Sequence, residues 1–83
     1  MSRSKAVSHN NVDKYVQLGL NIAYYRKLSG LTQEQLAEIA NISRSHLSAI
    51  EAPNIIKPFS IELLFEIADA LKIDAYKLLI FRD

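Results

Sequence analysis

The chain has 83 residues, 49% of them hydrophobic, and a formal net charge of +1, so we expect one globular domain without a second sensing or catalytic domain. The absence of cysteine excludes disulfide bonds and thiolate metal sites, and it fits a reducing cytoplasm. Because the sequence has no run of about 18 apolar residues and no hydrophobic secretory core, we expect a cytoplasmic protein that does not enter a membrane.

Residues 1–11 are polar and carry no apolar periodicity, which predicts a flexible N-terminal arm. The domain is then expected over residues 12–83. Its first helix should run from about Val12 to Leu28, with Gly30 suited to end it. This prediction rests on apolar side chains at spacings of three and four residues: Tyr15, Leu18, Ile22 and Tyr25.

The middle of the chain predicts two short helices joined by a tight corner. Thr32, followed three residues later by Gln35, has the pattern of a capping box at the start of a helix. Asn41 is suited to end that helix, because Asn tolerates the left-handed backbone conformation. Ser43 is a second N-cap candidate, and the helix after it is expected to turn its apolar side chains inward. Two helices connected in this way form a helix-turn-helix.

Two more helices are predicted toward the C-terminus. Ser60 should cap the fourth, and Asp74 should cap a fifth. No alternating apolar pattern is long enough for a strand, so the fold class is all-α.

The segment from Gly30 to Glu51 resembles the helix-turn-helix of the Cro/phage-repressor family, also called the XRE family. The similarity extends upstream to residues 18–26 and downstream to residues 58–79, so that it covers most of the chain. This resemblance implies a five-helix, phage-repressor-like domain. It also implies a sequence-specific DNA-binding transcription regulator, a repressor that acts on operator DNA.

The resemblance further implies which residues contact DNA. Thr32 and Gln33 correspond to positions that bind a phosphate at a helix N-terminus, where unpaired N–H groups attract anions. Arg44 is the expected bidentate partner of guanine O6 and N7. The other candidates lie on the second motif helix or in the loop after it: Ser43, Ser45, His46, Ser48, Ala49, Asn54 and Lys57.

Several of these residues have a purely structural interpretation as well. Thr32 and Ser43 would serve as caps in any helical bundle. Arg44 could be a solvated charge, although a cation in the first turn of a helix is mildly unfavourable. Ser48 and Ala49 could be small surface residues, so function and structure remain open for each of these positions.

Arg26 and Glu51 are expected to pair beneath the second motif helix, since the family has such a pair at these positions. The alternative interpretation makes Arg26 a phosphate contact. Loss of one partner from a buried ion pair typically costs about 3–5 kcal/mol, because the other charge is left without compensation.

Charge is distributed unevenly along the chain. Residues 1–50 hold six basic and three acidic residues, a net charge of +3, whereas residues 51–83 hold four basic and six acidic residues, a net charge of −2. The positive half contains the proposed DNA-reading helix, as nucleic-acid binding requires, although a chance split is nearly as good an explanation.

The C-terminal residues are more apolar than one small helix can bury. Leu78 and Leu79 resemble core positions, which leaves Tyr76, Ile80 and Phe81 for a surface. An exposed apolar cluster marks an interface, and we expect a homodimer that reads a pseudo-palindromic operator with two helices about 34 Å apart. The alternative is that Phe81 folds back onto the core.

A second function class stays open beside the DNA-binding regulator. The apolar loop residues Ile55 and Ile56 either enter the core or face a protein partner, which suits an antitoxin-like or regulator-binding interaction module. An enzyme is not expected, because no nucleophile–base pair or glycine-rich phosphate loop is present. His9 and His46 lack further ligands at metal-binding spacing, so we expect no metal, no cofactor and no small-molecule ligand.

Overall fold

The computed structural model describes residues 7–81. Within this range the chain forms four α-helices and two short 3₁₀-helices, and no strand. The α-helices are α1 (Val12–Leu28), α2 (Gln33–Ile39), α3 (Arg44–Glu51) and α4 (Ile61–Leu71), and the 3₁₀-helices are His9–Asn11 and Ala75–Leu79. The predicted all-α class is confirmed. No helix of the described residues has the length and apolarity needed to cross a membrane.

The N-terminal arm predicted over residues 1–11 lies partly outside the described residues, which begin at Val7. In the part that is described, Ser8 caps the 3₁₀-helix His9–Asn11 by accepting a hydrogen bond from the backbone N–H of Asn10. The first helix has the predicted bounds, Val12 to Leu28.

The predicted caps around the helix-turn-helix are confirmed. The Thr32 hydroxyl accepts from the N–H of Gln35, and the Gln35 side chain accepts from the N–H of Thr32, which completes the capping box. Asn41 adopts the left-handed conformation (φ 62°) after α2. The Ser43 hydroxyl accepts from the N–H of His46 and so begins α3. The corner is therefore specified by contacts within a few residues.

The C-terminal part departs from prediction in two ways. Ser60 caps α4 as expected, with its hydroxyl accepting from the N–H of Leu63. The predicted fifth α-helix is instead a short 3₁₀-helix, Ala75–Leu79, and the side chain of Asp74 makes no capping hydrogen bond. A segment of five residues is too short to be stable as an α-helix by its own hydrogen bonds. The prediction of five helices is therefore wrong, because the described residues form four α-helices.

The core is built by all four α-helices and the last 3₁₀-helix. Its fully buried side chains come from α1, α2, α3, α4 and the C-terminal 3₁₀-helix in turn: Ile22, Leu36, Leu47, Ile67 and Leu78. Leu78 is a core residue as predicted, whereas the prediction for Leu79 is wrong, because 46% of that residue is exposed. The side chains that flank Leu78 in the chain therefore reach solvent.

Gly19 allows α3 to lie directly against α1. A Cβ atom at this position would collide with the backbone carbonyl oxygen of Ile50 and would also crowd the Cα of Glu51. Glycine in a helix interior lowers helix stability by about 1 kcal/mol relative to alanine. The close approach of α3 to α1 requires glycine at this position despite that cost. Gly19 thereby fixes the depth at which α3 is seated.

We expect Gly19→Ala to lower the free energy of unfolding by about 1–3 kcal/mol, because the added methyl group forces the α1 and α3 backbones apart. Urea denaturation followed by circular dichroism measures this. Gly30→Asn is the matched control: Gly30 has φ 77° with open space around it, and Asn tolerates that conformation. A Gly19→Ala midpoint equal to that of the wild type would contradict the close contact.

Candidate nucleic-acid interface

A buried ion pair lies beneath α3. Arg26 Nε donates to Glu51 Oε2 at 2.8 Å, and Arg26 Nη2 donates to Glu51 Oε1 at 3.0 Å. The predicted pairing is confirmed. The third guanidinium nitrogen, Nη1, donates to the carbonyl oxygen of Leu31 at 2.9 Å. All three guanidinium nitrogens thus donate to oxygen atoms of the protein itself, which argues against the alternative role of Arg26 as a phosphate contact.

The same ion pair includes the start of α2. Gln33 Nε2 donates to Glu51 Oε1 at 2.9 Å, so one carboxylate receives hydrogen bonds from both α1 and α2. Sequence reasoning missed this contact, because the two residues are 18 positions apart. The arrangement fixes the start of α2, where Thr32 and Gln33 lie, relative to α3, which carries other predicted DNA contacts.

The N-terminus of α2 is formed by Thr32 and Gln33. The capping box occupies the hydroxyl and the N–H of Thr32 and the N–H of Gln35. The N–H groups of Gln33 and Glu34 are among those that no helix can satisfy internally. Together with the helix dipole, they make this end of α2 suitable for an anion.

Helix α3 has a buried and an exposed side. Leu47 and Ile50 are buried against the core, whereas Arg44 and Ser45 are exposed. The remaining predicted contacts on this helix are partly buried: His46, Ser48 and Ala49. The exposed side is therefore polar, with small side chains that leave the helix backbone accessible.

Five of the ten predicted contact residues line one open cleft of about 310 Å³. They are Ser43, Ser45, His46, Ala49 and Lys57. The cleft lies between α3 and the loop that follows it, so Lys57 is brought close to residues up to 14 positions away. The Ser43 and Ser45 hydroxyls lie 3.3 Å apart at its edge.

The other five predicted residues lie outside this cleft. Thr32 and Gln33 are at the α2 N-terminus, and Arg44 and Ser48 are on α3. Helix α3 ends at Glu51, and Ala52 and Pro53 follow it. Asn54 is exposed in the turn after these residues. A proline at this point has no N–H to offer a phosphate, as its chemistry predicts.

Charge is segregated between the helices. Helices α2 and α4 carry five acidic residues and no basic residue: Glu34, Glu38, Glu62, Glu66 and Asp69. All five are exposed. On α3 and the following loop, by contrast, the exposed charged residues are Arg44 and Lys57. A polyanion is therefore favoured at α3 and the following loop and repelled by the acidic side chains of α2 and α4.

Arg44 supplies this positive charge on α3 itself, where it is exposed. Among residues 7–81 it takes part in no ion pair. A cation in the first turn of a helix opposes the helix dipole by about 0.3–1 kcal/mol. The placement does not serve the stability of α3, which leaves the guanidinium available for a ligand. No group of three possible metal ligands occurs within the described residues.

The structure also assigns a role to a residue that sequence reasoning did not single out. Asn21 is buried beside the core residue Ile22 on α1. It donates hydrogen bonds to the main-chain carbonyl oxygens of Leu78 and Ile80, each at 2.9 Å. The sequence signal that could have indicated this role is the position of Asn21 directly before Ile22, a residue of the apolar stripe of α1.

Comparison with known proteins agrees with this geometry. A family model described as "Helix-turn-helix" matches residues 22–78. No curated protein sequence matches the chain. Among solved structures, the restriction-modification controller protein C.AhdI from Aeromonas hydrophila is 27% identical, with a TM-score of 0.77 over 84% of this chain and 99% of that one.

Two further structures are similar. The hypothetical transcription factor NHTF from Neisseria is 29% identical, with a TM-score of 0.76 over 82% of this chain and 74% of that one. The clp gene regulator ClgR from C. glutamicum is also 29% identical, with a TM-score of 0.70 over 82% of this chain and 83% of that one.

We expect Arg26→Ala to lower the free energy of unfolding by about 3–5 kcal/mol, since Glu51 is then left buried without its cation. Chemical denaturation gives this value. Arg26→Met combined with Glu51→Leu is the control, because removal of both charges should restore most of the loss. A single variant as stable as the wild type would show that the ion pair is not structural.

Proposed function

Because the chain belongs to the Cro/phage-repressor (XRE) family of helix-turn-helix proteins, which are DNA-binding transcription regulators and not a class of enzyme, we propose that it represses transcription by reading an operator with α3. The observation that carries this proposal is the exposed Arg44 at the start of α3. Its guanidinium has no ion-pair partner within residues 7–81, and the opposite side of the helix is anchored in the core.

The base contacts follow from the exposed side of α3. An α-helix fits the major groove of B-DNA, and arginine there pairs with O6 and N7 of guanine through two hydrogen bonds. Ser45 and Ser48 can donate to base edges or to phosphates. Ala49 offers a methyl group, which is suited to contact with the methyl group of thymine.

The phosphate contacts would lie on both sides of that helix. Lys57 and the hydroxyl of Ser43 line the cleft beside α3. On the other side, the α2 N-terminus supplies backbone N–H groups and the second amide hydrogen of Gln33. Glu51 is the last residue of α3 and accepts a hydrogen bond from Gln33 at the start of α2. A phosphate bound at the α2 N-terminus would therefore determine how deep α3 lies in the groove.

We further propose that the protein acts as a symmetric dimer formed through the C-terminal apolar segment, defined as residues 76–81. Four of its six side chains are large, apolar and exposed: Tyr76, Leu79, Ile80 and Phe81. Such a cluster on a small domain is characteristic of an interface. The two recognition helices would then bind half-sites about one turn of DNA apart, roughly 34 Å.

A protein-interaction module is the second candidate. The observation in its favour is the loop after α3, where Ile55 is 46% exposed and Ile56 is partly buried. If this loop binds a protein partner through apolar contact, removal of the Arg44 guanidinium would leave that binding largely intact. The next experiment therefore separates the two candidates.

We expect selection from a random duplex pool to enrich an inverted repeat with the wild-type protein and to enrich nothing with Arg44→Ala. Loss of one bidentate arginine–guanine contact costs about 1–3 kcal/mol in each half-site. Lys72→Asn is the matched control, because it removes one exposed positive charge at the end of α4, outside α3 and its loop, and Asn accepts the left-handed backbone (φ 59°) at that position. Failure of the folded wild type to enrich any sequence would favour the interaction module.

Lys57→Ala should behave differently from Arg44→Ala. If Lys57 neutralises a phosphate, the variant weakens binding to all sequences about equally, and the slope of log K against log salt concentration falls by about 1. Fluorescence anisotropy titrations at several salt concentrations measure that slope. An unchanged slope would remove Lys57 from the interface.

A further inference from the structure

The C-terminal apolar segment has one side chain in the core, and its other large apolar side chains are exposed. Of its six side chains, Leu78 is fully buried, whereas Ile80 remains 51% exposed and Phe81 37% exposed. An open cleft of about 260 Å³ lies between the segment and α1. Leu79 and Phe81 line it on one side, and the residues on the other side are Asn11, Lys14, Tyr15 and Leu18. Side-chain contact with α1 is therefore incomplete along the segment.

A polar contact holds the segment in addition to Leu78. Both hydrogens of the Asn21 side-chain amide are used, one for the carbonyl oxygen of Leu78 and one for that of Ile80, each at 2.9 Å. Asn21 itself is only 7% exposed. Carbonyl groups at the end of a helix have no hydrogen-bond donor within the helix. The Asn21 amide donates to two of them, although Leu78 and Ile80 lie 57 and 59 residues further along the chain.

These hydrogen bonds determine which way the segment faces. The carbonyl groups of Leu78 and Ile80 point toward α1, and Leu79 between them has its side chain exposed. The chain leaves the 3₁₀-helix in an extended conformation at Ile80 (φ −85°, ψ 109°). The result is a backbone fixed on its polar side, with apolar side chains turned to solvent.

We infer that Asn21 is a positioning residue for dimerisation, which holds the C-terminal apolar segment in the conformation that a second copy of this chain binds. The inference rests on the proposed dimer. A segment that is ordered before binding avoids the entropy loss of ordering during binding, which amounts to about 1–2 kcal/mol for each backbone residue fixed. The second copy would fill the cleft between the segment and α1 with apolar side chains against Tyr15, Leu18 and Phe81.

The test compares Asn21→Asp with the wild type in the full chain. The aspartate has nearly the same shape but turns an acceptor toward two carbonyl oxygens. We expect the dimer dissociation constant, measured by sedimentation equilibrium, to rise about tenfold or more. Affinity for the full selected duplex should fall, whereas affinity for one half-site should stay the same, because α3 and its ion pair are unaffected. Asn10→Asp adds the same charge at an exposed position and should change neither quantity.

Asn21→Ala is the second variant, which removes both donors without adding a charge, and it should give the same pattern with a smaller change. Equal dimer dissociation constants for the wild type and both Asn21 variants would overturn the inference and leave the proposed dimer in place. A wild type that stays monomeric with and without DNA would overturn the dimer and the inference together. Loss of half-site affinity in step with full-site affinity, or failure of both variants to fold, would assign Asn21 to the fold and overturn its positioning role.

Discussion

The buried carboxylate of Glu51 is the point on which the geometry of this domain depends. It accepts hydrogen bonds from Arg26 on α1 and Gln33 on α2, and it is itself the last residue of α3. Every buried polar side-chain atom of the described residues has a hydrogen-bond partner, so the charge is compensated within the protein. The three helices that make the helix-turn-helix and its support thus meet at one side chain, and none can shift without breaking a charged hydrogen bond.

Gly19 provides the steric counterpart to this polar constraint. The ion pair sets the direction in which α3 leaves the domain, and the missing Cβ at Gly19 sets how close α3 lies to α1. Local caps at Thr32 and Ser43 then define where α2 and α3 begin. Position, depth and start of α3 are therefore controlled by different interactions, which together hold a helix of only eight residues in one orientation.

Features set by neighbouring residues could be predicted from the sequence, and features set by distant ones could not. The capping box at Thr32 and the left-handed Asn41 involve partners within four residues, and both were predicted correctly. The fifth helix was not, because residues 75–79 owe their shape to the buried Leu78 and to Asn21, more than fifty positions away. For the candidate interface, resemblance predicted the Arg26–Glu51 pair, but the Gln33 contact depends on three-dimensional packing. The DNA contacts themselves remain predictions.

The segregation of charge has a kinetic meaning. The molecule has a net charge of only +1, but α2 and α4 carry five exposed acidic residues and no basic one, whereas α3 and the following loop expose Arg44 and Lys57. For a duplex approaching the protein, this distribution favours contact at α3 over contact at the acidic side chains, while the net attraction stays small. Under the proposed function, weak non-specific attraction would let the protein leave non-specific DNA quickly, so that its residence time on a site would depend on the base contacts made there.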